Sequence, residues 1–128
     1  MRRERKAPLH KSFRYALEGI MTGFKKERNM RIHVAAAILV ILAGTLLHIS
    51  AAEWSLCFVL FGMVMALELV NTAVEAVVDL VTEEQKALAK IAKDTAAGAV
   101  LIAAIMAAVT GCVIFLPKLS EAIVSFWN

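Results

Sequence analysis

Four polar side chains recur at helical spacing inside an apolar run: Glu68, Asn71, Glu75 and Asp79, separated by three, four and four residues. In a helix they share one stripe, with Leu69, Val70, Ala73, Val74, Ala76 and Val77 around the rest of the cylinder. Carboxylates so placed can accept a proton or hold a cation. They are costly in this setting, about 2.5–3.5 kcal/mol each at a bilayer centre on insertion scales. A stripe kept at that cost points to a bound partner.

Other candidate groups lie outside the run. Glu27 stands among bases in Glu27-Arg28-Asn29, and Lys93-Asp94 directly precedes the last apolar segment. Taken singly, Glu27 reads as a surface salt-bridge partner and Asp94 as the N-cap of the helix that follows. Taken together with the stripe, they give carboxylates near a membrane face, which suit Mg²⁺ shared with nucleotide phosphates. They also give a lysine for phosphate charge and a deeper carboxylate, Glu68, able to take a proton from an alcohol within the lipid zone. Metal, lysine and base form a sufficient set for phosphoryl transfer. No glycine-rich phosphate loop occurs in the chain.

The elements that must position these groups follow from hydropathy. The 128 residues are 60% hydrophobic, with a mean hydropathy of +0.72, too apolar for an ordinary soluble domain. Spans are expected at about 32–49, 54–81 and 95–116. The first is 18 residues and the last 22 residues without Asp, Glu, Lys or Arg, close to the length that crosses a hydrocarbon core. Residues 9–29 read as an amphipathic surface helix, with Leu9, Phe13, Leu17, Ile20, Met21 and Phe24 at helical spacing opposite Lys11, Arg14, Lys25 and Lys26. The chain is thus expected to be a single domain over 1–128, an all-α membrane protein of three transmembrane helices plus this N-terminal helix.

Ten of the 14 Lys and Arg precede the first span, and none lies between His48 and Glu53. By the positive-inside rule the N-terminus is cytoplasmic, the C-terminus is outside, and the stripe lies in the inner-leaflet half of a multi-pass cell-membrane protein. The first 31 residues lack the apolar core of a cleavable signal peptide. His33 and His48 read as interfacial side chains, and Cys57 and Cys112 as apolar filler. Ala99, Ala103, Ala107 and Gly111 form a four-residue row that would let helices approach closely. Beyond Pro117, Leu119–Trp127 reads as a short interfacial tail. Three spans cannot enclose four polar groups alone, so an oligomer sharing the site is the economical arrangement.

Several stretches carry a family resemblance: Phe13-Arg14-Tyr15-Ala16-Leu17-Glu18-Gly19, Glu27-Arg28-Asn29-Met30-Arg31-Ile32-His33, the segment Glu68–Asp79 and Ala92-Lys93-Asp94-Thr95. In these the chain resembles the small bacterial integral-membrane lipid kinases, the diacylglycerol kinase and undecaprenol kinase family. The resemblance implies a homotrimer that uses Mg²⁺ with ATP, and no nucleic-acid partner. Carried over position by position, it makes Glu68 the general base and places Glu27 and Glu75 on both the metal and ATP. Tyr15, Glu84, Lys93 and Asp94 would contact ATP, with Asn71 and Asp79 in support. Asn29 and Arg31 would border the lipid entrance beside Glu68. Two departures stand out. Thr82 and Gln85-Lys86-Ala87 replace a stretch that often contains glycine and histidine, and Pro8 stands where some members have an arginine.

The versions of the two N-terminal motifs look like the branch that favours undecaprenol; diacylglycerol is the alternative acceptor. A different class, a carboxylate-based proton- or cation-translocating subunit, would explain Glu68. It gives no reason for Glu27, Asn71 or the Lys93-Asp94 pair. A purely structural anchor explains none of the stripe.

Overall fold

The computed structural model describes residues 8–84 and 86–127. Four α-helices follow one another: α1 Leu9–Lys26, α2 Arg28–Leu46, α3 Ala51–Val81 and α4 Ala87–Trp127. Three of them, α2, α3 and α4, are long and apolar enough to cross a membrane. Arg2, Arg3, Arg5 and Lys6, which entered the orientation reading, lie outside the described residues, as does Gln85 of the α3–α4 connection.

The N-terminal helix stops three residues earlier than its periodicity predicts. Glu27 leaves helical geometry at φ −92°, ψ 120°, while its N–H still donates to the Gly23 carbonyl. One extended residue therefore joins α1 to α2 and puts Asn29 and Arg31 on α2. Nothing in the local composition announces the break; its reason is tertiary. Gly23 is buried against α3, where a Cβ would come within 2.5 Å of Leu69 Cδ2. Arg31 Nη1 donates to the Lys25 carbonyl (3.2 Å), meeting a backbone acceptor that the end of α1 leaves open.

Between α2 and α3 the chain reverses in four residues. His48 adopts a left-handed φ of 50°, and the Ile49 N–H returns to the Gly44 carbonyl at 3.1 Å, the six-to-one bond of a Schellman ending. Gly44 is needed there because a Cβ would meet Ile49 and Trp54 at 2.9 Å. Ser50 and Glu53 then form a reciprocal capping box: the Ser50 N–H donates to Glu53 Oε2 and the Glu53 N–H to Ser50 Oγ. Buried Ile49 packs with Trp54 and Cys57 beneath this box.

The last helix begins well before the expected span and ends well after it. Ala87–Trp127 is one helix of 41 residues, with Lys93, Asp94 and Pro117 inside it. Asp94 is therefore not an N-cap; it lies in the second turn and accepts a hydrogen bond from Lys90. Ala, Leu and Lys ahead of Thr95 are strong helix formers, so the helix outruns the uncharged window. At the far end no separate tail forms: Pro117 removes one backbone donor, but Ser120 Oγ donates to the Pro117 carbonyl and the helix continues. At ~1.5 Å per residue α4 is ~60 Å long, about twice a hydrocarbon core.

The principal contact is α3 on α4, while α1 rests on α2 and α3. Met30, Ala37, Cys57, Val64, Val100, Ala103 and Ile114 are buried between helices. No span buries more than 22% of its most apolar window, so most apolar side chains face outward. The small-residue row of α4 is only partly used within one chain. Ala103 is buried and Ala107 half-buried, but Ala99 is exposed and Gly111 has open space where a side chain would be.

Candidate active site between α2, α3 and α4

The stripe on α3 divides by depth. Glu68 and Asn71 are 1% and 6% exposed, Glu75 is half-buried, and Asp79 is exposed. Burial follows from what faces each group. Glu68 and Asn71 look into a cavity of about 200 Å³ walled by Asn29 and His33 of α2 and by Ala97 and Ala104 of α4. Alanine on the opposing helix leaves this space open.

The polar atoms in this cavity are unevenly satisfied. Asn71 Nδ2 donates to Glu75 Oε1 at 3.1 Å, which ties the buried part of the stripe to the half-buried part. Among the described residues Glu68 Oε1 and Asn71 Oδ1 have no hydrogen-bond partner. An unmet buried polar group costs about 1–3 kcal/mol. Such a deficit inside a cavity favours a ligand that brings a donor. Burial acts most on the Glu68 carboxyl, followed by the charge of His33, the Asn29 amide as a hydrogen-bonding group, and the charges of Glu27 and Glu75. Half-buried Glu27 sits at the break between α1 and α2, and like Glu75 it is not among the residues lining this cavity.

A second cavity, about 430 Å³, opens where α3 ends and α4 begins. Asp79, Glu84, Lys86, Lys90, Lys93 and Asp94 contribute to its lining. Lys93 Nζ donates to Asp79 Oδ1 at 2.5 Å and joins the two helices. Lys86 pairs with Glu84 at 3.4 Å, and the Glu84 N–H is held by Thr82 Oγ1 at 3.1 Å. Glu68 and Asp79, facing the two cavities, are eleven residues apart on α3, ~16 Å along the axis. Glu75 stands between them.

A third cavity, also about 430 Å³, is almost wholly apolar and runs between α2, α3 and α4 toward Phe115. It shares His33 and Ala104 with the small polar cavity. The polar end at Glu68 thus adjoins an apolar volume.

Of the residues singled out in the sequence, Glu68, Asn71 and Asn29 line the polar cavity, with Glu27 and Glu75 acting on it. Asp79, Glu84, Lys93 and Asp94 line the open one. Tyr15 and Arg31 line neither. The Tyr15 ring is exposed, with the Arg14 guanidinium 5.4 Å above it, and Arg31 is occupied at the end of α1. His33, read as interfacial, also stands at the junction of two cavities. Its spacing of four from Asn29 was the available signal, since i,i+4 residues share a helix face.

Comparison with known proteins gives a consistent result. Residues 14–115 match the family described as prokaryotic diacylglycerol kinase. The undecaprenol kinase of Bacillus subtilis is 48% identical over 109 residues, covering 85% of this chain and 89% of that protein. The diacylglycerol kinase of Synechocystis sp. is also 48% identical, over 114 residues; the match takes in 88% of this chain but 65% of that longer protein. The diacylglycerol kinase of Escherichia coli (strain K12) is 33% identical over 100 residues, 78% of this chain and 82% of that protein.

Proposed function

The chain belongs to the prokaryotic diacylglycerol kinase family, and from that premise we propose a division of its chemistry between the two polar cavities. The enzyme is a lipid kinase: it phosphorylates a membrane lipid alcohol at the expense of ATP. In the proposed reaction the lipid hydroxyl oxygen attacks the γ-phosphorus of ATP, the bond to the ADP oxygen breaks, and the hydroxyl proton passes to Glu68. The observation that carries this role is the unpartnered Oε1 of a 1%-exposed carboxyl facing a cavity that adjoins an apolar one. A hydroxyl at the end of a hydrocarbon chain supplies the missing donor there.

The open cavity receives ATP in this reading, with Lys93 and Asp94 as contacts and Glu84 at its rim. Asp79 supports it by holding Lys93. Tyr15, which lines neither cavity, would reach ATP only across a neighbouring subunit or after a shift of α1.

Glu27 and Glu75 are the proposed holders of Mg²⁺. Among the described residues no three His, Cys, Asp or Glu side chains converge as a metal cage. The residues fit Mg²⁺ in its usual nucleotide-enzyme form, which needs only one or two carboxylates besides the phosphates. Asn71 supports that use by fixing one Glu75 oxygen. When bound, the ion neutralises phosphate charge.

For the acceptor we favour undecaprenol over diacylglycerol. The two N-terminal motif versions support it, as does the 48% identity to the Bacillus subtilis undecaprenol kinase, which is matched over 89% of its length. Purified protein incubated with Mg-ATP and each lipid in turn tests this. Faster phosphorylation of undecaprenol is expected; the reverse order would make the enzyme a diacylglycerol kinase.

The outward-facing apolar surface of the spans supports a multi-pass membrane protein, and the excess of Lys and Arg before the first span supports a cytoplasmic N-terminus and α1 with the C-terminus outside; the homotrimer rests on the family resemblance. If subunits share the site, mixing inactive Glu27→Ala and Glu68→Ala chains restores activity; a mixed oligomer without activity contradicts sharing.

A further inference from the structure

Each lysine lining the open cavity already has a carboxylate partner. Lys93 is held by Asp79, Lys86 by Glu84, and Lys90 by Asp94 one turn further along α4. With Glu83 the described lining carries four carboxylates against three ammonium groups, one formal negative charge in excess. Such a cavity disfavours a bare polyphosphate and accepts one that arrives with a dication. Binding then amounts to an exchange of partners, in which phosphate oxygens replace carboxylates around the lysines.

Lys93 and Asp94 have places in the nucleotide reading, but Lys90 has none. It lies three residues before Lys93, on the same face of α4 and ~4.5 Å along the axis. Its partnership with Asp94 is an i,i+4 pair with the side chains 76% and 62% exposed. Ion pairs this open to water are weak and readily exchanged. A phosphate chain offers several oxygens, more than one of them charged, within reach of two neighbouring lysines.

We propose that Lys90 is a further phosphate-binding residue of this cavity, folded onto Asp94 at rest and transferred to the phosphate chain of the nucleotide when it binds. The assignment rests on the reading of the open cavity as the nucleotide site. It adds a second ammonium group to that of Lys93 and frees the Asp94 carboxylate on binding.

The test is calorimetric titration of the full-length protein in uncharged detergent with Mg-ATP and, separately, with adenosine. Lys90→Gln is expected to weaken Mg-ATP binding about three- to tenfold and to leave adenosine unchanged. Lys90→Arg should stay near the parent, and added salt should narrow the difference. Lys90→Met, a neutral chain of similar length, should repeat the loss if the Gln variant misfolds. Parent-like Mg-ATP affinity in the neutral variants, or an equal loss for adenosine, overturns the proposal. So does a loss confined to binding of anionic-lipid vesicles. A parent protein that binds no Mg-ATP would overturn the nucleotide reading itself, an outcome distinct from the others.

Discussion

The two polar cavities of this molecule treat their charged groups in opposite ways. Around Glu68 and Asn71 the walls combine Asn29 and His33 with alanine and branched aliphatic side chains, the two groups are buried, and among the described residues two acceptor oxygens lack partners. Around Lys86, Lys90 and Lys93 every ammonium group is paired and most of the charge is open to water. The difference separates a site that lacks a donor from one that must exchange partners. The first suits an uncharged hydroxyl arriving from lipid, the second a highly charged ligand arriving from water. Glu75, hydrogen-bonded to Asn71 and half-exposed, is the link between them.

The contrast can be broken at several points. The largest effect is expected from Glu68→Gln, which keeps the shape of the buried group and removes its capacity to accept a proton. Turnover of lipid should fall by about 10²–10⁴, the usual contribution of a general base, as measured by phosphorylated lipid formed. Glu75→Gln acts on the link and should weaken Mg-ATP binding by at least about tenfold, with turnover falling in parallel. Unchanged nucleotide affinity would remove Glu75 from the metal site. Asn71→Ala leaves Glu75 in place but unfastened, and a tenfold loss is the lower end of what outer-shell partners of metal ligands contribute.

Smaller effects are expected where the scaffold alone is touched. Gly23→Ala places a Cβ 2.5 Å from a Leu69 methyl, next to Glu68 in sequence. The contact is with the end of a flexible side chain, so Leu69 turning aside should keep the cost at the lower end of overpacking, about 1 kcal/mol, seen as a slightly lower unfolding temperature in detergent. At the far end of α3, Ser50→Ala removes the capping box for about 1 kcal/mol. That change should leave kinetics untouched, since Ser50 lies eighteen residues, ~27 Å, from Glu68.

How much of this was legible in the sequence depends on the kind of information each feature carries. The stripe was, because helical period alone puts Glu68, Asn71, Glu75 and Asp79 on one face. The existence of three long apolar helices was too, because span length is a property of composition. Their bounds were not. Hydropathy marks where lipid begins, whereas helix α4 begins where Ala, Leu and Lys permit it, at Ala87. The single-residue break at Glu27 carries no Gly or Pro and arises from packing of Gly23 on α3. The place of His33 at the junction of two cavities depends on α3 and α4, and the one local sign of it is the four-residue spacing from Asn29.

The division of labour between the cavities is most directly tested by a Mg-ATP binding isotherm of Glu68→Gln, recorded on the same preparation used for turnover. The account predicts an affinity equal to the parent's alongside lost lipid phosphorylation. A nucleotide affinity that falls together with turnover would contradict it, placing Glu68 in the nucleotide or metal site and leaving the lipid hydroxyl without its base.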